Sequence, residues 1–290
     1  MRRKHRDGST SYFHSLLSAA IVHPDRSEVF PLDHEAIVRG DGDVKNDCER
    51  SAIQRQVDHL EQHYPDLKAV LILDALYGCA PVIRRIQRNK NWRYMIGVKE
   101  KGNAYLFEQF DVAHDGGRVK WRTYRDQQGV KWEVGFVNGL SLNASAQEVK
   151  VNMVYMRAPD AKGKEVVFSY VTNIAVKQNN VLKLLSIGRY RWKVENETFN
   201  TLKNQGYHFK HNFGHGKQNL STIMAYLMMM AFWVDQLQQA ANETFRHLVV
   251  GLKTRVKLWD SLRAVVKIVP LSSMQDAYIK VADMYCVRLI

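Results

Sequence analysis

Cysteine is scarce in this sequence, which contains three, Cys48, Cys79 and Cys286, and no Cys-x-x-Cys pair. That number and spacing exclude a disulfide framework and a cysteine zinc knuckle, and they indicate a reducing compartment such as the cytosol. The basic N-terminus is followed by polar residues at 8–11, where a signal peptide would need an apolar stretch. The longest apolar run, around 223–234, is shorter than the roughly 20 residues that cross a membrane. We therefore expect neither a signal sequence nor a membrane-spanning helix.

Acidic residues are outnumbered by basic ones: 29 Asp and Glu stand against 42 Lys and Arg, for a formal net charge of +13. A surplus of this size points to a polyanionic partner, and nucleic acid is the first candidate. A ribosome-associated protein or a protein of the membrane surface would carry the same charge. The hydrophobic content of 46% and the charged content of 24% indicate a soluble globular chain, and they exclude disorder and collagen-like repetition.

The first hundred residues alternate between strand and helix patterns. The predicted elements are strands over 12–23 and 28–32 around the turn 24–26, a helix from about 46 to 63, a strand over 68–74, a helix over 81–88 and a strand over 92–98. The continuous apolar run that ends in Asp74 is typical of a strand buried on both faces of a sheet. This order predicts an α/β fold with a mixed sheet covered by helices.

From about 102 to 176 the pattern changes to short runs of alternating apolar residues separated by glycine-containing turns. The alternation predicts an antiparallel β module inserted into the α/β fold. After it we expect a helix over 179–203, a polar loop over 208–218 and a Met-rich helix over 220–241. The tail, 246–290, is expected to be helical and to end in a short strand.

Asp74 is the first candidate for chemistry, because an ionised carboxylate at the end of an apolar strand is costly to bury without a cation. Ligands of α/β sheets bind at this edge. The alternative is that Asp74 caps the turn 75–78 or lies in water at the end of the strand.

A second group of candidates lies on the helix predicted over 179–203. Arg191 and Glu195 are spaced i, i+4 and share a face of an α-helix, so the cation can orient the carboxylate and contact a phosphate. The alternative is a surface salt bridge worth less than about 1 kcal/mol. Trp192 is a candidate for base stacking, with core packing as the alternative. A strand-end Asp and a helix Glu in a basic protein form the layout of a two-metal phosphodiester site, which normally needs a third acid.

These residues carry a family resemblance. The stretch 73–77 around Asp74, the β insertion and the stretch 191–203 around Glu195 resemble the DDE transposases of bacterial insertion sequences, in the group with a Tyr-Arg-Glu-Lys signature. The resemblance extends over nearly the whole chain. It implies a ribonuclease-H-like fold, in which Asp74 and Glu195 are the second and third acids of a triad that binds Mg²⁺, with Mn²⁺ as a possible substitute.

The resemblance also implies an organisation and a reaction. The expected parts are a ribonuclease-H-like catalytic core over 1–99 and 179–241, a β-rich insertion over 100–178 and a helical extension over 242–290. The expected reaction is metal-dependent cleavage of the DNA ends of the element and their strand transfer into target DNA. The residues expected to contact DNA are Arg189, Arg191, Trp192, Lys193 and Lys203. We expect a homodimer on DNA, without a membrane partner, in the bacterial cytoplasm and associated with the nucleoid.

The signature is not fully matched. Arg191 has the required spacing from Glu195, but Gly188 stands at the tyrosine position, and Lys203 lies one residue beyond the lysine position. The register of Lys203 as a phosphate contact is therefore open.

The first acid of the triad has no candidate on an apolar strand. Asp7 lies among basic residues, and the acids at 41, 43 and 47 have the positions of turn and cap residues. A ribonuclease-H-like sheet has three antiparallel strands before its first helix, whereas the sequence predicts two here. We therefore expect an N-terminally truncated transposase that lacks the first catalytic strand and is defective in cleavage.

Two alternatives remain open. One is a non-catalytic nucleic-acid-binding protein derived from the same fold, and the other is a metal-dependent nuclease that uses Asp74, Glu195 and a further acid. Basic and aromatic residues interleave in the insertion, and they form either a DNA-facing surface or a solvated β face whose aromatic side chains fill the insertion's core. These residues are Arg118, Lys120, Trp121, Arg122, Tyr124, Arg125, Lys131 and Trp132.

Overall fold

A computed structural model describes residues 2–4, 7–38, 45–126, 128–160, 162–214 and 216–289, without the side chains of 2–4, 11, 12 and 45–47. The chain forms two compact units, Met1–Ser11 with Ile37–Arg191 and Tyr12–Ala36 with Trp192–Ile290. The boundary after Arg191 falls inside the helix predicted over 179–203, so residues of that predicted helix contribute to both units.

Short strands precede the first helix. β1 (Arg2–Lys4) pairs with β2 (Thr10–Tyr12), and β3 (Ser15–Val22) pairs with β4 (Val29–Ile37) in a separate two-stranded sheet. The two predicted strands around the turn 24–26 are confirmed, and β4 is longer than predicted. The count of two strands before the first helix is wrong, because β1 and β2 precede them. Helix α1 (Lys45–His63) follows, also as predicted.

The first unit is built on a six-stranded mixed sheet. Its strands are β5 (Ala69–Leu73), β6 (Trp92–Gly97), β7 (Lys120–Arg125), β8 (Lys131–Ser141), β9 (Lys150–Pro159) and β10 (Glu165–Thr172). They are arranged in the order β5-β6-β10-β9-β8-β7, in which β5 and β6 are parallel and the other neighbours are antiparallel. The sheet is flanked by α1, α2 (Ala80–Arg88), α3 (Ala104–Asp115) and α4 (Val181–Arg189). The strands of the predicted insertion therefore extend the same sheet as β5 and β6.

The core of this unit lies against β6. Trp92, Tyr94 and Ile96 point to one face and Met95 to the other, and all four side chains are fully buried. The indole Nε1 of Trp92 donates a hydrogen bond of 3.0 Å to the carbonyl of Leu67, so the buried polar atom is satisfied. Burial on both faces gives β6 the environment that the sequence predicted for the preceding strand.

β5 is an edge strand, whereas its apolar run predicted a strand buried on both faces. It pairs with β6 alone among the described strands, and Val70 is 37% exposed. The prediction is wrong because a run of apolar residues does not record how many neighbours a strand has.

The β pattern predicted from residue 102 onwards begins too early, because Ala104–Asp115 forms α3. Its buried residues Leu106, Phe110 and Ala113 recur at the spacing of a helix. The aromatic content of this segment favoured a strand by propensity, and packing against the sheet decided otherwise.

The helix predicted over 179–203 is interrupted. α4 ends at Arg189, and α5 (Arg191–Lys193) continues into a π-helix, Val194–Asn200, and then into α6 (Thr201–Asn204). In a π-helix each N–H bonds to the fifth residue back rather than the fourth, so a four-residue spacing no longer defines a shared face. π-helical turns occur often at functional sites.

The second unit consists of the β3–β4 pair and helices. These helices are α5 and α6 with the π-helix, then α7 (Leu220–Ala241), α8 (Glu243–Leu252), α9 (Arg255–Ile268) and α10 (Met274–Met284). Leu202, Met229 and Phe232 form one buried cluster, and α8, α9 and α10 enclose another around Phe245 and Leu258. Among the residues described up to 289, none after α10 forms a strand, so the predicted C-terminal strand is wrong.

Helix α7 is the longest apolar helix of the described residues. By length and composition it could cross a membrane, and 17% of its most apolar window is buried. A single helix of this kind is weak evidence for a membrane span, because core helices of soluble proteins can have the same length and apolar composition. The apolar run 223–234 that the sequence shows lies within this longer helix.

Candidate functional site

Asp74 directly follows β5, at the carboxyl end of that strand. Its Oδ1 accepts a hydrogen bond of 2.9 Å from the backbone N–H of Leu76 and caps the short 3₁₀ helix Ala75–Tyr77. The alternative in which Asp74 caps the following turn is therefore confirmed. The cap engages one carboxylate oxygen, and metal binding by Asp74 stays a prediction.

A buried phenol lies close to this carboxylate. Burial, and after it the charges of Asp74 and Glu49, raises the pKa of Tyr77 well above its usual value. Glu49 lies on α1, so two carboxylates act on the same phenol. From the next residue of α1, Arg50 donates a hydrogen bond of 3.3 Å from Nε to the carbonyl of Leu76. The turn after β5 is thus fastened to α1.

Lys193 has a structural role that the sequence did not reveal. Its side chain is buried, and its ammonium donates hydrogen bonds to the carbonyls of His23, Pro24 and Arg26, at 2.6, 3.1 and 2.7 Å. These carbonyls belong to the turn between β3 and β4. An ammonium group has three donors, and all three are used here. These bonds give Lys193 a structural role in place of the predicted DNA contact, and we leave it out of the proposed DNA-binding set.

Glu195 lies in the first turn of the π-helix and is exposed. Two residues on, Glu197 is half-buried, so the two acids have different surroundings. Thr198 is fully buried, and its Oγ1 has no hydrogen-bond partner in the described part of the chain. Glu195 belongs to the second unit and Asp74 to the first, so their pairing in one site stays a prediction.

The described residues do not complete a metal centre. Across the described ranges, no three His, Cys, Asp or Glu side chains form a group that could hold a metal ion. Mg²⁺ requires oxygen ligands in near-octahedral geometry, and a two-ion site normally needs a third acid. One oxygen of Asp74 is already committed to the cap. Asp41, Asp43 and the side chain of Asp47 lie outside the described residues. The donor set that the described residues offer does not fit a two-ion site, and we assign no catalytic step through a metal to these residues.

Exposed cations and an exposed aromatic side chain occur along the segment from the end of α4 to α6. Arg189 and Arg191 are exposed, and the guanidinium carbon of Arg189 lies 5.9 Å from the ring centroid of Phe168 on β10. Trp192 is 44% exposed, which contradicts core packing as its role. Lys203 is also exposed, with its Nζ 5.6 Å from the ring centroid of Phe199. Contact of these four residues with DNA stays a prediction.

The basic surface of the insertion is divided between two roles. Trp132 is buried in the core of the first unit. This agrees with the alternative in which aromatic side chains of the insertion fill the core and its basic face lies in water. Trp121 is 36% exposed, and the guanidinium carbon of Arg157 lies 5.6 Å from its ring centroid. Along the edge strand β7 the cations at 120, 122 and 125 are exposed. Charges on an edge strand also oppose pairing with another chain, so exposure by itself does not establish DNA contact.

Gly188, at the tyrosine position of the signature, is covered by a tyrosine from elsewhere. A Cβ built on Gly188 would lie 2.8 Å from Cε1 and 3.0 Å from Cδ1 of Tyr170, which is on β10. The ring of Tyr170 therefore rests directly on the helix backbone. The sequence contained a usable signal, since alternation along β10 places Phe168 and Tyr170 on one face, but it did not show that this face meets α4.

The comparison with protein families decides the classification. Residues 38–233, more than half of the chain, match the family model described as the transposase DDE domain. The chain belongs to this family. The matched range contains both Asp74 and Glu195, and the mixed sheet flanked by helices is consistent with a ribonuclease-H-like fold. A search of curated proteins found no significant match.

Membership of the DDE transposase family has consequences for this chain. The family implies an enzyme of transposition that binds DNA as its substrate, and it is generally dependent on divalent metal ions. Its members are typically cytosolic. The DDE transposase family predicted from the residues around Asp74 and Glu195 is thereby confirmed, whereas the insertion-sequence group with the Tyr-Arg-Glu-Lys signature stays a prediction.

Substitution of Gly188 by Ala is expected to lower the free energy of unfolding by about 1–2 kcal/mol, because the new methyl group would overlap the Tyr170 ring. Chemical denaturation of the variant measures this change. Without the overlap, Ala in a helix would be more stable than Gly by roughly 0.5–1 kcal/mol. A stabilised Gly188→Ala variant would therefore show that the ring does not rest on the helix.

Proposed function

We propose that this chain is the transposase of an insertion sequence, that it binds DNA, and that it is defective in cleavage as it stands. The family match over 38–233 carries the proposal, and the net charge of +13 supports the polyanionic substrate. In the proposed organisation, 1–99 and 179–241 form the catalytic core, 100–178 the insertion and 242–290 an extension. The intact reaction is cleavage of the element's ends and strand transfer into target DNA by a homodimer in the bacterial cytoplasm.

The proposed defect follows from the acids. A DDE site uses three carboxylates with Mg²⁺ or Mn²⁺, and this chain offers Asp74 and Glu195 as two of them. When bound, the metal ions would activate the attacking oxygen and stabilise the leaving one. Within the described residues, which leave out Asp41, Asp43 and the side chain of Asp47, no three His, Cys, Asp or Glu side chains form a group that could hold a metal ion. The proposed defect therefore rests on the sequence and is tested by the cleavage assay.

DNA contact is proposed for Arg189, Arg191, Trp192 and Lys203. Guanidinium groups bind phosphate oxygens in pairs, and an ammonium binds them as a point charge. Such contacts fix the register of the protein on DNA without reading its sequence. An exposed indole can stack on an unpaired base at a DNA end.

A second candidate function is a DNA-binding protein that keeps the fold and has no part in transposition. The cap bond between Asp74 and Leu76 favours it, because this bond gives Asp74 a structural reason to be present. Both candidates predict binding without cleavage for this chain. They differ once a first acid is supplied, since only a transposase would then cut.

A cleavage assay tests the proposal. Labelled duplex DNA is incubated with Mg²⁺ or Mn²⁺ and either the wild type, Asp74→Asn or Glu195→Gln. Asn also caps helices well, so Asp74→Asn removes the charge and keeps the cap. Asp160→Asn is the matched control, since Asp160 is exposed and its Oδ1 accepts backbone N–H bonds from Lys162 and Lys164, both at 2.8 Å.

The expected result is binding by all four proteins and cleavage by none. Cleavage by the wild type and Asp160→Asn that disappears in Asp74→Asn and Glu195→Gln would contradict the defect and establish both acids as catalytic. An absence of DNA binding by the wild type would contradict the proposed function as a whole.

A further inference from the structure

The junction of β10 and the end of α4 brings together a phenol and two guanidinium groups within the first unit. Tyr170 lies against Gly188, and a Cβ at that glycine would approach its ring to 2.8 Å. Arg189 and Arg191 follow directly on the helical segment, and both act electrostatically on the Tyr170 phenol. Only a residue without a side chain at position 188 leaves room for this arrangement.

The hydroxyl of Tyr170 is available as a donor. It has no hydrogen-bond partner among the described residues, and it is not one of their fully enclosed polar atoms, so it faces water. Burial of the ring raises the pKa of Tyr170, and the two arginines lower it by a smaller amount. The phenol therefore keeps its proton at neutral pH, and its O–H can donate a hydrogen bond to an anion.

The aromatic side chains beside this group belong to the sheet. Phe168 lies two residues before Tyr170 on β10, and the guanidinium carbon of Arg189 lies 5.9 Å from its ring centroid. Phe168 in turn packs against the buried Trp132, with ring centroids 6.0 Å apart. A guanidinium placed over an aromatic ring keeps its edge free for hydrogen bonds. The phenol is thus carried by the sheet, Arg189 by α4 and Arg191 by α5, and none of the three lies in a loop.

We propose that Tyr170 donates a hydrogen bond to a phosphate oxygen of the DNA backbone that Arg189 and Arg191 attract. This inference rests on the proposed function, because it names one contact of the same DNA-binding protein. Tyrosine hydroxyls and arginines are both common phosphate donors. Tyr170 is a binding residue in this scheme and does not touch a reacting atom.

The test compares Tyr170→Phe with the wild type in binding to a short duplex DNA of mixed sequence, measured by fluorescence anisotropy over a range of salt concentrations. Phe keeps the ring on Gly188 and removes the hydroxyl. Loss of one hydrogen bond to a charged group is expected to weaken binding roughly tenfold. The slope of affinity against salt should not change, because the phenol is uncharged. Arg189→Ala should lower both the affinity and the slope, the slope by about one.

Tyr155→Phe is the matched control. Tyr155 lies on β9 opposite Ser169 of β10, so it points to the other face of the sheet, where its ring packs against Phe110 at 5.4 Å. The affinity of the Tyr155→Phe variant for DNA should equal that of the wild type. A thermal melt of each variant separates loss of the hydroxyl from loss of the fold.

The outcomes separate this inference from the proposed function. Weaker binding by Tyr170→Phe with an unchanged melting temperature and salt slope supports the phosphate contact. Binding equal to the wild type shows that Tyr170 only packs, and it overturns the inference while DNA binding stands. If the wild type itself does not bind DNA, the proposed function fails first.

Discussion

Replacement of Lys193 by Met is expected to lower the free energy of unfolding by about 2–3 kcal/mol, because three carbonyl groups lose their charged donor. Met has nearly the same length and fills the same space, so the change removes the ammonium and little else. The carbonyls of His23, Pro24 and Arg26 hold the turn between β3 and β4, and without the ammonium this turn loses its attachment to α5. Chemical denaturation followed by circular dichroism measures the change.

Lys203→Met is the control for removing a lysine. Lys203 is exposed and lies beside the ring of Phe199, so its replacement should change stability by no more than about 0.5 kcal/mol. In DNA binding the order should be reversed: Lys203→Met should weaken the affinity for DNA, and Lys193→Met should leave it unchanged. If Lys193→Met had wild-type stability and reduced DNA affinity, Lys193 would be a phosphate contact after all.

Replacement of Asp235 by Asn is expected to remove a pH dependence of stability between about pH 4 and 6. Asp235 lies on α7 within the second unit and accepts a hydrogen bond from the hydroxyl of Tyr207. Burial raises the pKa of Asp235 to about 6, against opposing effects of Tyr207 and Arg255. Its carboxyl group lines a cavity of about 520 Å³ with mainly apolar walls, including Leu227 and Trp259.

The direction in which Asp235 makes stability change with pH follows from the protons bound in the folded and unfolded states. The unfolded chain releases the proton of this carboxyl group near pH 3.8, whereas the folded chain keeps it to about pH 6. The protonated group thus contributes stability that is fully present below pH 3.8 and is lost as the pH rises through 6. The loss is at most about 3 kcal/mol, because each pKa unit corresponds to about 1.4 kcal/mol.

The measurement is the unfolding free energy of the wild type minus that of Asp235→Asn at several pH values. The difference should fall between about pH 4 and 6 and stay constant above 7. Asp260→Asn, which removes an exposed carboxylate paired with Arg263, controls for the loss of one negative charge. A difference that is flat, or that rises with pH, would show that Asp235 is ionised in the folded chain throughout this range.

The regular elements of this chain were largely predictable from local patterns. The bounds of α7 agree with the predicted 220–241, because a long apolar run followed by Asn242 marks a helix end clearly. β5 ends at Leu73, one residue before the predicted end, so that Asp74 directly follows the strand. Local patterns did not predict features that depend on contacts between residues far apart in the sequence. The edge position of β5 depends on which strands join the sheet, and no residue of the run 68–74 records this.

The candidate site was predictable in its residue types and not in their roles. The sequence shows Lys193 next to Arg191, and a cation in that position is as suitable for a phosphate as for a buried carbonyl. Its three acceptors lie 167–170 residues earlier in the chain, beyond the reach of any spacing argument. Gly188 looked like a gap in the signature, whereas the fold fills it with the ring of Tyr170. The roles thus depend on tertiary contacts that the helix pattern cannot contain.

The salt dependence of DNA binding tests most directly that this transposase-family chain binds DNA through Arg189 at the end of α4 and Arg191 at the start of α5. The affinity of the wild type for a mixed-sequence duplex should fall linearly with salt on a logarithmic scale. The double variant Arg189→Ala with Arg191→Ala should bind more weakly, with a slope smaller by about two. Two results would contradict DNA binding through Arg189 and Arg191. One is a wild-type affinity that does not change with salt, and the other is a double variant whose slope of affinity against salt equals that of the wild type.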